Sequence, residues 1–127
     1  MNKAFGKRIG ITCLTALTAM LISAAPAAAH TNIKISDITG SMTFIDDGDV
    51  FKICDTHADG AAVLGRLYYK SIGGDWHVSR EDADGGDRGC NKFEADVNGV
   101  GDYKMKLYWL GTGYPGIKVA ESRVFNE

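Results

Sequence analysis

Beyond residue 30 the chain runs in short bursts of alternating apolar and polar residues, separated by Gly- and Asp-rich clusters. That is the pattern of half-buried strands, since a helix would repeat its apolar positions every three to four residues. Bursts at 41–45 and 50–54 flank Asp46-Asp47-Gly48-Asp49, which reads as the turn of a hairpin. Further strands are expected at 62–70, 75–79, 92–97, 102–110 and 117–125, joined by Gly73-Gly74, Asp84-Gly85-Gly86, Asn98-Gly99 and the segment 111–116. Residues 32–36 are a candidate leading strand. Seven or eight strands at this spacing predict an all-β fold, a small single-domain antiparallel β-sandwich of immunoglobulin-like type.

The longest alternations assign faces. Tyr103, Met105, Leu107 and Trp109 point one way, the core side, while Lys104, Lys106, Tyr108 and Leu110 point the other. In the same manner Val63, Gly65, Leu67 and Tyr69 oppose Leu64, Arg66, Tyr68 and Lys70. Pairing of these two strands would set Arg66, Tyr68, Lys70, Lys104, Lys106 and Tyr108 on one outward surface. Such a row serves as solvent-facing cross-strand pairs and edge-protecting lysines. It is also the aromatic and basic composition that partner interfaces favour.

The first 29 residues follow a different rule. Lys3, Lys7 and Arg8 precede an apolar run over 9–22, followed by the small-residue segment 23–29, with Ala27 and Ala29 placed for cleavage before His30. This is the layout of a secretory signal peptide, and the apolar run is too short to span a bilayer. The expected organisation is a signal peptide at 1–29 and a secreted, extracellular domain at 30–127. That domain carries 11 basic and 16 acidic groups, a formal charge of −5, which disfavours nucleic acid and anionic membranes as partners. Cys13 falls in the apolar run, leaving Cys54 and Cys90 as an even pair in an oxidising compartment, where a disulfide is the expectation.

Catalytic signatures are missing: there is no G-x-S-x-G, H-E-x-x-H or G-x-x-x-x-G-K. The many carboxylates cluster in turn-like segments, where Asp serves backbone hydrogen bonding. Glu81 to Asp87 is acidic but lacks the ligand spacing of an EF-hand, and reads as a flexible acidic turn next to Cys90. An alternative chemistry starts from the cleavage site. A mature N-terminal His30 would offer an α-amine and an imidazole to Cu(II), and Asp55-Thr56-His57 would add a carboxylate and a second imidazole. In this respect the chain resembles small periplasmic copper-carrier β-sandwiches.

The run from Asp46 to Gly60, containing Cys54-Asp55-Thr56-His57-Ala58-Asp59-Gly60 and followed by alternation into Tyr68-Tyr69, resembles small secreted β-sandwich proteins of Streptomyces and related actinobacteria with a C-D-T-x-A-D-G segment between two strands. Some such proteins look like the adaptor subunit of umbrella-shaped antibacterial toxin particles, which joins a long toxin polypeptide to a lectin subunit. The resemblance implies a sandwich fold and export, and through the adaptor a role in an extracellular toxin complex. The expected function is therefore that of a secreted, non-enzymatic module without a cofactor that binds another secreted protein. Its candidate contacts are Arg66, Tyr68, Lys104, Lys106 and Tyr108, together with a polar leading arm at 30–40 that includes His30, Asn32 and Ile33 and would lie in a partner's groove by strand addition. The alternatives are a Cu(II)-binding protein using His30, Asp55 and His57, and a secreted hydrolase inhibitor, for which no Pro- or Cys-framed loop stands out.

Overall fold

Asp46-Asp47-Gly48-Asp49 reverses the chain as its composition dictates, with Gly48 at φ 93° and Asp49 at φ 52°, both in the left-handed region that Gly and Asp tolerate best. The computed structural model describes residues 31–86 and 88–127. The expected signal peptide, its cleavage site, Cys13 and His30 lie outside the described residues. The described chain forms eight strands: β1 (Ile33–Ser36), β2 (Gly40–Ile45), β3 (Val50–Asp55), β4 (Val63–Ser71), β5 (His77–Asp84), β6 (Gly89–Glu94), β7 (Gly101–Trp109) and β8 (Ile117–Glu121). They make two antiparallel four-stranded sheets, ordered β1-β2-β3-β6 and β5-β4-β7-β8. The all-β sandwich expected from the alternation is the fold observed.

Three expected strands change a bound by three residues or more, each for a local reason. The strand placed at 75–79 becomes β5 and runs on to Asp84, through residues taken for a flexible acidic turn. The acidic charge is absorbed there. Glu81 accepts from Arg66 Nε at 2.6 Å, Asp82 accepts from the Ala83 amide, and the buried Asp84 accepts from the Asp55 amide at 2.8 Å. The following strand consequently begins at Gly89, and residues 95–97 leave it to be held by Asp49, whose carbonyl and carboxylate accept from the amides of Ala95 and Val97. The last strand ends at Glu121, and Phe125 returns to the sheet through a bridge to Tyr103.

A belt of rings crosses the interior. Phe93, Phe51 and Phe44 stack across β6, β3 and β2 at centroid separations of 5.1 and 4.9 Å. Phe125 then stacks on Phe44 at 5.2 Å and joins the belt to Tyr103 and Tyr69 of the other sheet. Met42, Ile53, Leu67, Met105 and Leu107 fill the rest, all fully buried. The sheets approach closely at Gly65, where a Cβ would run into Ile53 Cγ1 and lie 2.9 Å from Met42 Sδ. A side chain at this position would force the sheets apart.

The expected disulfide is present, joining Cys54 to Cys90. These residues are direct cross-strand partners on β3 and β6, and strand alternation puts both on the outer face of their sheet, opposite Phe51, Ile53 and Phe93. The bond thus staples an edge strand to its neighbour within one sheet, unlike the inter-sheet bridge of antibody domains.

The candidate leading strand at 32–36 is observed within the leading arm. From Ile33 onward it is strand β1, paired with β2 through Ile33↔Phe44 to Ser36↔Ser41. Ile33 and Ile35 pack against the core, and Asn32 Oδ1 accepts from the Asp46 amide at 3.0 Å. The apolar side of the arm has a buried surface to cover, so Ile35 is buried and Ile33 half-buried against the core.

Candidate interaction surface

β4 and β7 pair along their whole length, matching Leu64 with Tyr108, Arg66 with Lys106 and Tyr68 with Lys104. Alternation then brings Arg66, Tyr68, Lys70, Lys104, Lys106 and Tyr108 to the outer face of the sheet, the grouping expected from sequence. The two phenols meet head to head, with Tyr68 and Tyr108 hydroxyls 3.0 Å apart.

Each cation that β4 and β7 bring to this face is placed against an aromatic ring. Lys106 Nζ sits 4.5 Å from the Tyr68 ring centroid. Lys104 and Lys70 converge on Trp76, at 4.5 and 5.4 Å. Arg66 Cζ lies 4.7 Å from the Tyr108 centroid and 5.2 Å from that of Tyr114. Glu121 closes the far side, accepting from Lys104 at 3.1 Å and Lys118 at 2.6 Å. Each cation–ring contact contributes on the order of 0.5–1 kcal/mol at an exposed site. Their larger effect is to hold long side chains that would otherwise sweep through solvent.

Arg66 departs from the expectation. It lies on the anticipated face but is only 8% exposed. The β7–β8 connection carries Tyr114 over one side of it, and Glu81 holds Nε. Burial works against its charge, but the hydrogen bonds it donates to Glu81, Tyr68 and Tyr108 outweigh this and raise its pKa. Arg66 is a strut beneath the surface, whereas Tyr68, Tyr108, Lys104 and Lys106 are half-exposed and reachable. Sequence reasoning missed Trp76 and Tyr114 as members of the face. Both sit in connections: Tyr114 lies within the Gly-rich segment 111–116, and Trp76, placed in the strand expected at 75–79, falls just ahead of β5; the signal that marks them is a large aromatic residue beside glycines.

The face has a positive local field. Burial opposes ionisation of Tyr68, but the Tyr108 hydroxyl, Arg66 and Lys106 together bring its pKa below the usual tyrosine value. Tyr108 is pushed up, first by burial and then by its bond to Tyr68. In the core, burial likewise raises Tyr103. The unfolded chain releases phenol protons near the ordinary tyrosine value of 10.0, while the folded chain still keeps those of Tyr103 and Tyr108. Unfolding then releases protons, so stability falls as pH rises past that value; Tyr68 acts in the opposite sense just below it. Melting temperature is expected to drop as pH rises above about 10, and to drop less in Tyr103→Phe, as thermal unfolding followed by circular dichroism will show.

Of the alternative metal residues, Asp55 is engaged within its own turn. Asp55 is 3% exposed at one end of the sandwich; its Oδ1 accepts from the His57 amide at 2.9 Å, and its Oδ2 is buried without a hydrogen-bond partner. Asp59 accepts from the Ala61 amide and from Trp109 Nε1, which lowers its pKa. The C-D-T-H-A-D-G run is thus a turn held by its own carboxylates. Among the described residues no group of three or more His, Cys, Asp or Glu side chains is arranged to hold a metal. A polar cleft of about 610 Å3 lies elsewhere, lined by residues that include Asp49, Ser79, Arg80, Glu94 and Asp96. None of the sequence-selected residues borders it. Comparison of the chain with protein-family models, with curated proteins and with solved structures yields no match.

Proposed function

We propose that this protein is exported, is not an enzyme, and works as an interaction module whose contact surface is the outer face of the β5-β4-β7-β8 sheet. The observation that carries the reading is the gathering of half-exposed Tyr68, Tyr108, Lys104 and Lys106 with Trp76 and Tyr114 on one side of a chain whose domain is otherwise acidic. Aromatic residues held rigid against cations lose little entropy on docking, which is how a modest area becomes an anchor. The residues up to Asn32, ahead of β1, offer a second contact. Two separate contacts suit an adaptor, the role in an extracellular antibacterial toxin complex that the sequence resemblance implies. The signal-peptide pattern and the disulfide support an extracellular location.

Size-exclusion chromatography of the secreted protein from its producing strain, with intact mass analysis of the fractions, tests this. The expected result is a complex containing a second polypeptide of defined mass. Tyr68→Ala with Tyr108→Ala should weaken capture of that polypeptide at least tenfold, roughly 1.4 kcal/mol, with the melting temperature within a few degrees of the parent. A lone monomer overturns the reading, and so does a variant that captures as well as the parent.

A further inference from the structure

We propose that Asp55 and Asp84 form a weak calcium site at the end of the sandwich where β3 and β5 stop, with the cation held by carboxylates that the two sheets contribute from opposite sides.

Both side chains point inward. On β3, Asp55 follows Phe51 and Ile53 on the buried face, and on β5, Asp84 is the register partner of the buried Val63. They are 3% and 7% exposed, and the Asp55 amide donates to Asp84 Oδ2 at 2.8 Å. Two carboxylates from different sheets thus meet in the interior. No ion pair reaches either one among the described residues. Burying like charges side by side without a counter-charge is costly, and proteins meet that cost by pairing the charges or placing a metal between them.

The unmet acceptor marks where the cation belongs. Asp55 Oδ1 accepts from the His57 amide, but Oδ2 is buried with no hydrogen-bond partner. The neighbours of Asp55 across both ladders are Gly40 and Gly89, which have no side chain with which to donate. Asp84 Oδ1 likewise has no hydrogen-bond partner among the described residues.

The donor set selects the metal. Carboxylate and carbonyl oxygens suit a hard cation, and the His57 side chain, exposed in its turn, takes no part. That separates the site from the copper chemistry expected of His30, Asp55 and His57. Magnesium sheds its water reluctantly and demands octahedral geometry, whereas calcium accepts an irregular shell, as a site this enclosed requires. Water and carbonyls of the exposed turn at 56–60 complete the shell. Among the described residues no third acidic or imidazole side chain joins the pair. The affinity therefore belongs at the weak end of the protein range, a dissociation constant of about 10⁻⁴–10⁻³ M.

The test is thermal unfolding of the disulfide-intact protein, stripped with EDTA and then given calcium or magnesium at about 10 mM. The expected result is a rise in melting temperature of about 5 °C with calcium and less than half that with magnesium. Asp55→Asn and Asp84→Asn each keep an oxygen to accept the amide that the carboxylate accepted, so both variants fold, and each should lose most of the calcium shift. Asp102→Asn, at the opposite end of β4 and β7 by their register, should keep it. The proposal is overturned if calcium leaves the parent unchanged, if magnesium matches calcium, if both Asn variants at the site keep the full shift, or if Asp102→Asn loses it equally. A parent that ignores calcium and gains stability as pH falls would assign the pair to a shared proton, which also overturns it. Terbium, a calcium surrogate, gives a readout that needs no carboxylate variant. Bound beside Asp84 it should emit on tryptophan excitation, because Trp109 and Asp84 flank Val63 on neighbouring strands, and calcium should displace it. Emission that survives undiminished in Trp109→Phe overturns the placement. The interaction face on the outer side of the sheet is unaffected by either outcome.

Discussion

Phe51→Ala is expected to remove about 4 kcal/mol of stability and to lower the melting temperature by roughly 20 °C. Phe51 is fully buried, so the loss includes both the transfer of its ring and the cavity left behind. Its position makes collapse difficult. Phe93 and Phe44 stack on opposite sides of it, and Phe44 also carries Phe125. The backbones behind these rings are tied as paired strands in register, so neighbours cannot close the gap without breaking ladder hydrogen bonds. Phe51→Leu keeps much of the volume and should cost less than half as much. Urea unfolding of the two variants checks this. If Phe51→Ala lost under about 1 kcal/mol, the belt would be packed loosely enough to reorganise, and the close fit inferred at Gly65 would be in doubt as well.

What was legible in the chain follows from the difference between periodicity and contact. Alternation in β4 and β7 states which side of a strand is apolar, and that alone put Arg66, Tyr68, Lys104, Lys106 and Tyr108 on one face. It does not say what lies over that face. Arg66 is covered by Tyr114 and neutralised by Glu81, and both come from segments whose local pattern points to a turn. The acidic run after Arg80 shows the same limit. Four charged or small residues, Glu81 to Asp84, have no apolar rhythm and read as a loop, but pairing with β4 and a buried contact between Asp84 and the Asp55 amide make them strand. The disulfide pairing was legible because only two cysteines remain beyond residue 30. Its position within one sheet was not, because it depends on β6 joining β3, a contact between strands far apart in the chain.

That position decides how the disulfide acts. Cys54→Ser/Cys90→Ser is expected to cost about 4 kcal/mol, the chain-entropy value for a closed loop of 37 residues. Because the bond lies on the outer face of its sheet, removing it opens no cavity in the core. The effect should fall mainly on the unfolded ensemble, which gains freedom, and on β6, an edge strand most of whose residues are exposed. Two signatures separate this from ordinary core damage. The urea dependence of unfolding should steepen, since the unfolded chain now exposes more surface. Amide exchange should accelerate first in β6, while β4 and β7 keep their protection. The tyrosine and lysine face belongs to the other sheet, so the variant, while folded, should capture the co-purifying polypeptide within twofold of the parent. A loss under about 1 kcal/mol would mean that the unfolded chain is already held compact without the bond. Protection falling equally in both sheets would mean that β6 cannot open alone and that the sandwich unfolds as one cooperative unit.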